Sequence, residues 1–181
     1  MATQVQPRRL ALVVHPTRPI DGALATLRAW AQERGVALLQ PPVVGGAHRE
    51  VAPDGDLERG DLVVALGGDG TVLSALRAAA PFEAPVLGVS CGSLAALTAV
   101  SADGLATALE RFVAGEWTPR RLPALEIRPG GGPKAWAVND LVIVRRRAAQ
   151  VITEATVDDE LYARLAGDGL IVASPLGSSA Y

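Results

Sequence analysis

The stretch LGGDGT at 66–71 sets one carboxylate inside a glycine turn, directly behind the apolar run DLVVA at 61–65. A strand that ends in glycines and opens a helix presents backbone N–H groups and a helix N-terminus, and both favour phosphate oxygens. Gly67 and Gly68 allow close backbone approach, and Thr71 is a candidate cap for the helix that follows. Asp69 is the odd member, because a carboxylate beside a phosphate cradle is repelled unless it has a task. It could accept a proton from an attacking hydroxyl, or help to hold Mg²⁺ on the phosphates. The plainer alternative is an ordinary turn with Asp69 as an Asx-type cap, and the local spacing leaves these readings open. The stretch matches neither GxxxxGK[ST] nor GxGxxG.

Other polar groups stand at element ends. Asn139-Asp140 reads by itself as a strand-end turn or as a donor–acceptor pair suited to a carboxamide or a ribose. Asp168, in GDG, reads as a hairpin turn or as a site carboxylate. Ser178 and Ser179 read as surface-turn hydroxyls or as ligand contacts. His15 reads as a turn residue, Cys91 as a small buried or loop residue, Arg145–Arg147 as a solvated rim and Trp30 as core.

These groups need elements to hold them. Residues 8–14, 36–40, 61–66 and 85–90 are short apolar runs that predict buried strands. Residues 20–34 carry a helical period with Gly35 as the stop, and 71–80 and 103–114 predict two more helices. Apolar strands alternating with helices predict a parallel sheet covered on both faces. The turn-rich stretch 41–56 predicts a mobile loop. From about Trp117 the texture changes to strand runs at 120–129, 135–146, 148–167 and 168–175, with a hairpin tip at 157–160. The expected fold is therefore an α/β domain with a parallel sheet over residues 1–118, followed by an all-β portion, an incomplete β-sandwich, over 119–181. A β portion that ends at SSAY leaves edges unpaired, so the expectation is a piece of a longer chain, or one completed by a partner.

Composition narrows the classes. Net charge is −2 and aromatics are 4%, so neither an electrostatic nor a base-stacking footprint for nucleic acid is present. A single cysteine excludes an internal disulfide and a thiolate zinc cluster. The LALVV run near the N-terminus is too short for a signal sequence or a membrane span. The expected setting is cytoplasmic, away from membranes.

Four segments, taken in order, resemble the NAD kinase family: LGGDGT (66–71), LGVSCGSLAAL (87–97), AVNDLVIVR (137–145) and GDGLIVASPLGSSAY (167–181). The likeness runs over about residues 9–181. It implies an NAD kinase/diacylglycerol kinase-like fold and a phosphotransferase with an alcohol group as acceptor. That activity moves a phosphoryl group from ATP, or polyphosphate, to the 2′-hydroxyl of the NAD adenosine ribose. Asp69 then takes the role of catalytic base or orienting group, and Gly68 and Gly70 contact phosphates. Asn139 and Asp140 hold NAD by hydrogen bonds. Ser179, Ala180 and Tyr181 embrace the adenine and ribose, and Asp168 lies towards the nicotinamide end. The resemblance further implies a divalent cation, Mg²⁺ or another, carried with ATP near Asp69 with no dedicated protein ligand set. The β portion, with edges to cover, suggests self-association into a homo-oligomer, dimer or tetramer, and the NAD site is expected in the crevice between the sheet edge at Asp69 and the β portion bearing Asn139 and Tyr181.

The sequence departs from the family at several places. Ser90 stands where asparagine is usual, and Ala95-Ala96 where Gly-Phe is usual. Leu176 and Ser179 stand where threonines are common, and Ala166 where an arginine often precedes GDG. A lipid kinase of the diacylglycerol or sphingosine kind shares the GGDGT loop, but VSCGSLAAL lacks the Pro-x-Gly-Thr-x-Asn-Asp stretch those kinases favour. A non-catalytic nucleotide-binding remnant is the alternative from a different class.

Overall fold

In a computed structural model, residues 6–42, 49–92 and 95–179 are described. They fall into two compact units, Met1–Arg120 and Arg121–Tyr181.

The first unit is a five-stranded parallel sheet. Its strands are β1 (Arg9–Val14), β2 (Ala37–Leu39), β3 (Leu62–Gly67), β4 (Val86–Ser90) and β5 (Val100–Ser101), in the order β2-β1-β3-β4-β5. The helices are α1 (Asp21–Arg34), α2 (Asp69–Ala79) and α3 (Leu105–Val113). Period-two alternation sorts the central strands onto two cores. Leu10 and Leu12 of β1, with Leu62, Val64 and Leu66 of β3, pack with Leu24, Leu27 and Trp30 of α1 and Leu105, Leu109 and Phe112 of α3. Ala11, Val13, Val63 and Ala65 pack instead with Val72, Ala75 and Ala79 of α2. Small residues on both sides of that second layer let α2 sit close to the sheet. Every residue of β3 is buried, as a continuous apolar run between two helical layers must be.

The chain order 2-1-3-4-5 reverses between β1 and β3, so the carboxyl ends of those strands flank a topological switch point. The loop after β1 and the glycine turn after β3 both emerge there.

The helical layer of α1 and α3 is tied by polar groups. The Trp30 indole Nε1–H donates to Glu110 Oε1 at 2.7 Å, Arg34 pairs with Glu110 Oε2, and the Arg34 guanidinium lies over the Trp30 ring at 5.2 Å. The indole hydrogen bond, then the Arg34 contacts, hold the Glu110 carboxyl below its ordinary range. The native state therefore binds this proton less tightly than the unfolded chain. The stabilisation is complete above the ordinary glutamate pKa of about 4.3 and disappears as pH falls through the lowered native value. A Glu110→Gln variant should lose thermal stability relative to the parent at neutral pH. The gap should narrow in melting profiles taken below pH 4, and a constant gap across that window would remove Glu110 as its source.

The second unit consists, among its described residues, of antiparallel two-stranded ribbons: β6 (Leu125–Ile127) with β7 (Ala135–Ala137), β8 (Asp140–Val144) with β11 (Gly169–Ala173), and β9 (Val151–Val157) with β10 (Glu160–Gly167). The β9–β10 turn is made by Asp158 and Asp159 at φ 51° and 65°. Two successive left-handed residues are what a type I′ hairpin turn requires. Ala137, Val138 and Ser174 are buried in this unit, whereas Val142, Ile143, Val144, Ile171 and Val172 of the β8–β11 ribbon are all exposed.

Several expectations are corrected. Helix α2 starts at Asp69, two residues before the predicted start, so Thr71 is its third residue and not its cap; the cap position is Gly68, with no side-chain hydrogen bond. The turn-rich stretch 41–56 is not simply a loop over the surface. Val51 and Ala52 join the core, and Gln40 and Asp54 form a parallel bridge; residues 43–48 lie outside the described residues. Helix α3 starts at Leu105, after a 3-10 turn at Ala102–Gly104, and β5 was not predicted at all.

Candidate functional site

At the carboxyl end of β3 the chain turns with very little room. A Cβ on Gly67 would lie 2.2 Å from Thr71 Oγ1 and 3.1 Å from His15 Cβ. Thr71 thus packs back onto the turn that it was expected to cap, and only glycine fits beneath it. The Gly67 carbonyl accepts the Cys91 N–H at 3.1 Å, which ties the ends of β3 and β4 together. The position of Gly70 is open: a Cβ there would meet nothing within 4 Å.

Asp69 is half-buried in the first turn of α2. Its carboxylate accepts the Leu97 N–H at Oδ1 (2.7 Å) and the Ala96 N–H at Oδ2 (3.1 Å). Each oxygen spends one lone pair on the loop and keeps another for a proton, a hydroxyl or a cation. The donors come from Ala96 and Leu97, within the segment where the family pattern is altered. A backbone N–H is indifferent to the side chain it carries, so Ala96 still supplies its donor.

The loop after β1 is also braced. His15 Nδ1 accepts the N–H groups of Thr17 (3.2 Å) and Arg18 (3.1 Å), so His15 is a turn acceptor, as expected. Arg49 donates to the Arg18 carbonyl at 3.0 Å and to Asp21 Oδ1 at 2.7 Å. Cys91 is buried; burial pushes its thiol pKa up, and the nearby Arg18 charge acts the other way.

In the second unit the Asn139-Asp140 pair is stitched to the segment after β11. The buried Ser174 hydroxyl donates to the Val138 carbonyl at 2.6 Å and accepts the Gly177 N–H at 3.2 Å; the Ser174 N–H donates to the Asn139 carbonyl at 2.8 Å. A Cβ on Gly177 would lie 2.0 Å from that Asn139 carbonyl oxygen. Asn139 and Asp140 are thereby brought beside the 3-10 turn Gly177–Ser179, which carries Ser179. Ala180 and Tyr181 lie outside the described residues.

Asp168 stands elsewhere. It precedes β11, where Gly169 pairs with Val144, whereas Asp140 pairs with Ala173 at the other end of the ribbon. Five paired residues at about 3.4 Å each separate the two carboxylates along the strands. Asp168 is exposed and forms an ion pair with Arg145 at 3.3 Å.

Sequence reasoning missed Arg18 and did not single out Ser174. The loop HPTRP showed an arginine after a strand but no spacing that set it apart from other arginines.

The family profile described as the ATP-NAD kinase N-terminal domain matches residues 29–117. The chain is 35% identical to the NAD kinase of Symbiobacterium thermophilum over 185 residues, covering 96% of this chain and 65% of that protein. The chain belongs to the NAD kinase family. The NAD kinase of Heliobacterium modesticaldum is 45% identical over 126 residues, covering 67% of this chain and 44% of that enzyme. The chain thus spans roughly half to two thirds of the length of these NAD kinases. In fold it is similar to yeast NADH kinase, solved in complex with NADH, with a TM-score of 0.62 at 17% identity over 97% of this chain and 60% of that one. That likeness agrees with a parallel α/β unit followed by antiparallel strands. No helix among the described residues is long and apolar enough to cross a membrane.

Proposed function

We propose that the chain is part of an NAD kinase that transfers the terminal phosphoryl group of ATP, or of polyphosphate, to the 2′-hydroxyl of the NAD adenosine ribose, giving NADP. The observation that carries this reading is the Asp69 carboxylate, fixed by two backbone N–H groups at the carboxyl edge of β3 beside glycines that admit phosphate. Asp69 orients the 2′-hydroxyl and takes its proton as the oxygen attacks the terminal phosphorus; the bond to the leaving phosphate breaks and ADP departs. Gly68 and Gly70 pass close to the phosphates. A divalent cation, Mg²⁺ or its equivalent, arrives on the ATP and neutralises charge on its oxygens. The spare lone pairs of Asp69 suit such a one-carboxylate contact.

Asn139 and Asp140 hold NAD, with Ser179, Ala180 and Tyr181 against its adenosine and Asp168 towards the nicotinamide. The Ser174 bonds support this reading for Asn139, because they fix its backbone. Gly177→Ala therefore should push the Asn139 carbonyl aside and weaken NAD binding about 10-fold or more, read by titration calorimetry; unaltered affinity would detach Asn139 from the NAD site. The assembly is a homo-oligomer and its setting is cytoplasmic.

The deciding experiment is NADP formation from NAD, Mg²⁺ and either ATP or polyphosphate, by this chain and by the same chain extended to the length of its relatives. Product from either supports the kinase. NAD binding without product from both points to a nucleotide-binding remnant, and phosphorylation of a lipid in place of NAD overturns the reading.

A further inference from the structure

In the second unit one buried side chain holds two segments together. Ser174 is 2% exposed and is the first residue after β11, where the ladder with β8 ends at the pair Ala173 and Asp140. We propose that Ser174 is a positioning residue for NAD, whose hydroxyl locks the Asn139-Asp140 corner and the Gly177–Ser179 turn into one binding surface. The proposal deepens the NAD reading of Asn139 given above and rests on it.

Every polar group of Ser174 is engaged, and the bonds run to both sides. Its N–H donates to the Asn139 carbonyl at 2.8 Å, and its hydroxyl donates to the Val138 carbonyl at 2.6 Å. These bonds hold the chain just ahead of Asp140. On the other side, the hydroxyl oxygen accepts the Gly177 N–H at 3.2 Å and the Ser174 carbonyl accepts the Ser178 N–H at 2.9 Å. The two backbone bonds are open to any residue at 174. Among these groups the hydroxyl alone bonds to both segments directly, because it donates to one and accepts from the other. Bonds linked head to tail in this way polarise and strengthen one another.

The surroundings leave this bridge little slack. Pro175 follows, and its ring biases Ser174 towards an extended backbone while offering no N–H of its own. A Cβ at Gly177 would lie 2.0 Å from the Asn139 carbonyl oxygen, so the two segments meet backbone to backbone beside the hydroxyl. The Ser178 hydroxyl closes the turn on the Pro175 carbonyl at 3.0 Å. The flanking ribbon cannot fix the two segments by apolar burial, because Val142, Ile143 and Val144 of β8 and Ile171 and Val172 of β11 are exposed. The placing of one segment against the other therefore leans on Ser174. Each contact that fixes the grip before NAD arrives lowers the ordering that binding must supply, so the hydroxyl acts on affinity.

The test uses the full chain and NAD, with titration calorimetry as the readout. Ser174→Ala should weaken NAD binding about 10-fold, and Ser174→Thr, which keeps the hydroxyl, should recover most of that loss. A residue that served only the stability of the fold could give the same loss only with about nine tenths of the variant unfolded, because apparent affinity scales with the competent fraction. Circular dichroism separates the two: weakened NAD binding with a parental spectrum supports the positioning role, and weakening matched by lost ellipticity overturns it. Affinity within about 3-fold of the parent for Ser174→Ala also overturns it, as does an equal loss in both variants, which assigns the effect to packing. A second measurement needs no variant. Saturating NAD should slow amide hydrogen exchange at Ser174, Gly177 and Ser178 of the parent chain, and exchange there that NAD leaves unchanged counts against the bridge. NADP formation is scored apart: Ser174-dependent NAD affinity without product keeps the proposal and sinks the kinase reading, whereas product with Ser174-independent affinity does the reverse. A parent chain that binds no NAD overturns both.

Discussion

Asp69→Asn should lower NADP formation by about 10²- to 10⁴-fold, the span that a positioned proton acceptor contributes. Under the proposed function, the substitution removes the group that takes the 2′-hydroxyl proton. It does more than that, because both carboxylate oxygens are committed to N–H donors from Ala96 and Leu97. An amide can offer an oxygen to only one of them, so its NH₂ must face the other donor. That conflict costs about 1–3 kcal/mol and loosens the 95–97 loop. A fall in turnover should therefore come with a lower melting temperature. Turnover within about 10-fold of the parent would show that Asp69 is a structural clasp and not the base.

The second large effect is on stability. Asp61 is fully buried, and Arg9 grips it with two parallel bonds, Nε to Oδ1 at 3.0 Å and Nη2 to Oδ2 at 2.7 Å; the Glu58 N–H adds a third at 2.8 Å. The Asp61 hydrogen bond, against the opposing pull of burial, raises the Arg9 pKa. Arg9→Ala strands the carboxylate inside the first unit with one remaining donor, which should cost about 3–5 kcal/mol. Against a typical total of about 5–15 kcal/mol, that is a large share. Urea unfolding gives the number directly. Replacing both residues by leucine should recover much of the loss, since an apolar pair leaves no buried charge unpaired. A loss below about 1 kcal/mol for Arg9→Ala would place water or another donor at Asp61.

How far the sequence revealed these features depended on whether residue type or pairing carries them. The runs around Leu10–Val13 and Leu62–Leu66 were legible because a strand buried on both faces reads as unbroken apolar sequence. The Asp158–Asp159 tip was legible because left-handed turns select such residues. Strand β5, of two residues, is too short to show a period. Val51 and Ala52 are separated from other apolar residues by turn formers, so their burial left no pattern. The start of α2 was misplaced because a glycine at the cap carries no side-chain signature. At the site, Asp69 stood out by its type, but its partners at 96 and 97 act through backbone N–H groups, which any residue supplies. The contact of Gly177 with Asn139 follows from the register of β8 on β11, which no local stretch encodes.

The uneven distribution of buried apolar residues has a consequence for motion. Both core clusters lie within residues 10–113, whereas the ribbons of the second unit bury little beyond Ala137 and Val138. Amide protons of β1 and β3 can then exchange with solvent only when the whole first unit opens. Those of β8 to β11 escape through local openings of much smaller free energy. If the proposed roles hold, the carboxylate that does the chemistry rides on the slow-exchanging part and the residues that grip NAD on the fast one. Binding would then spend part of its energy on quieting the second unit, and would appear in calorimetry as an unfavourable entropy of ordering.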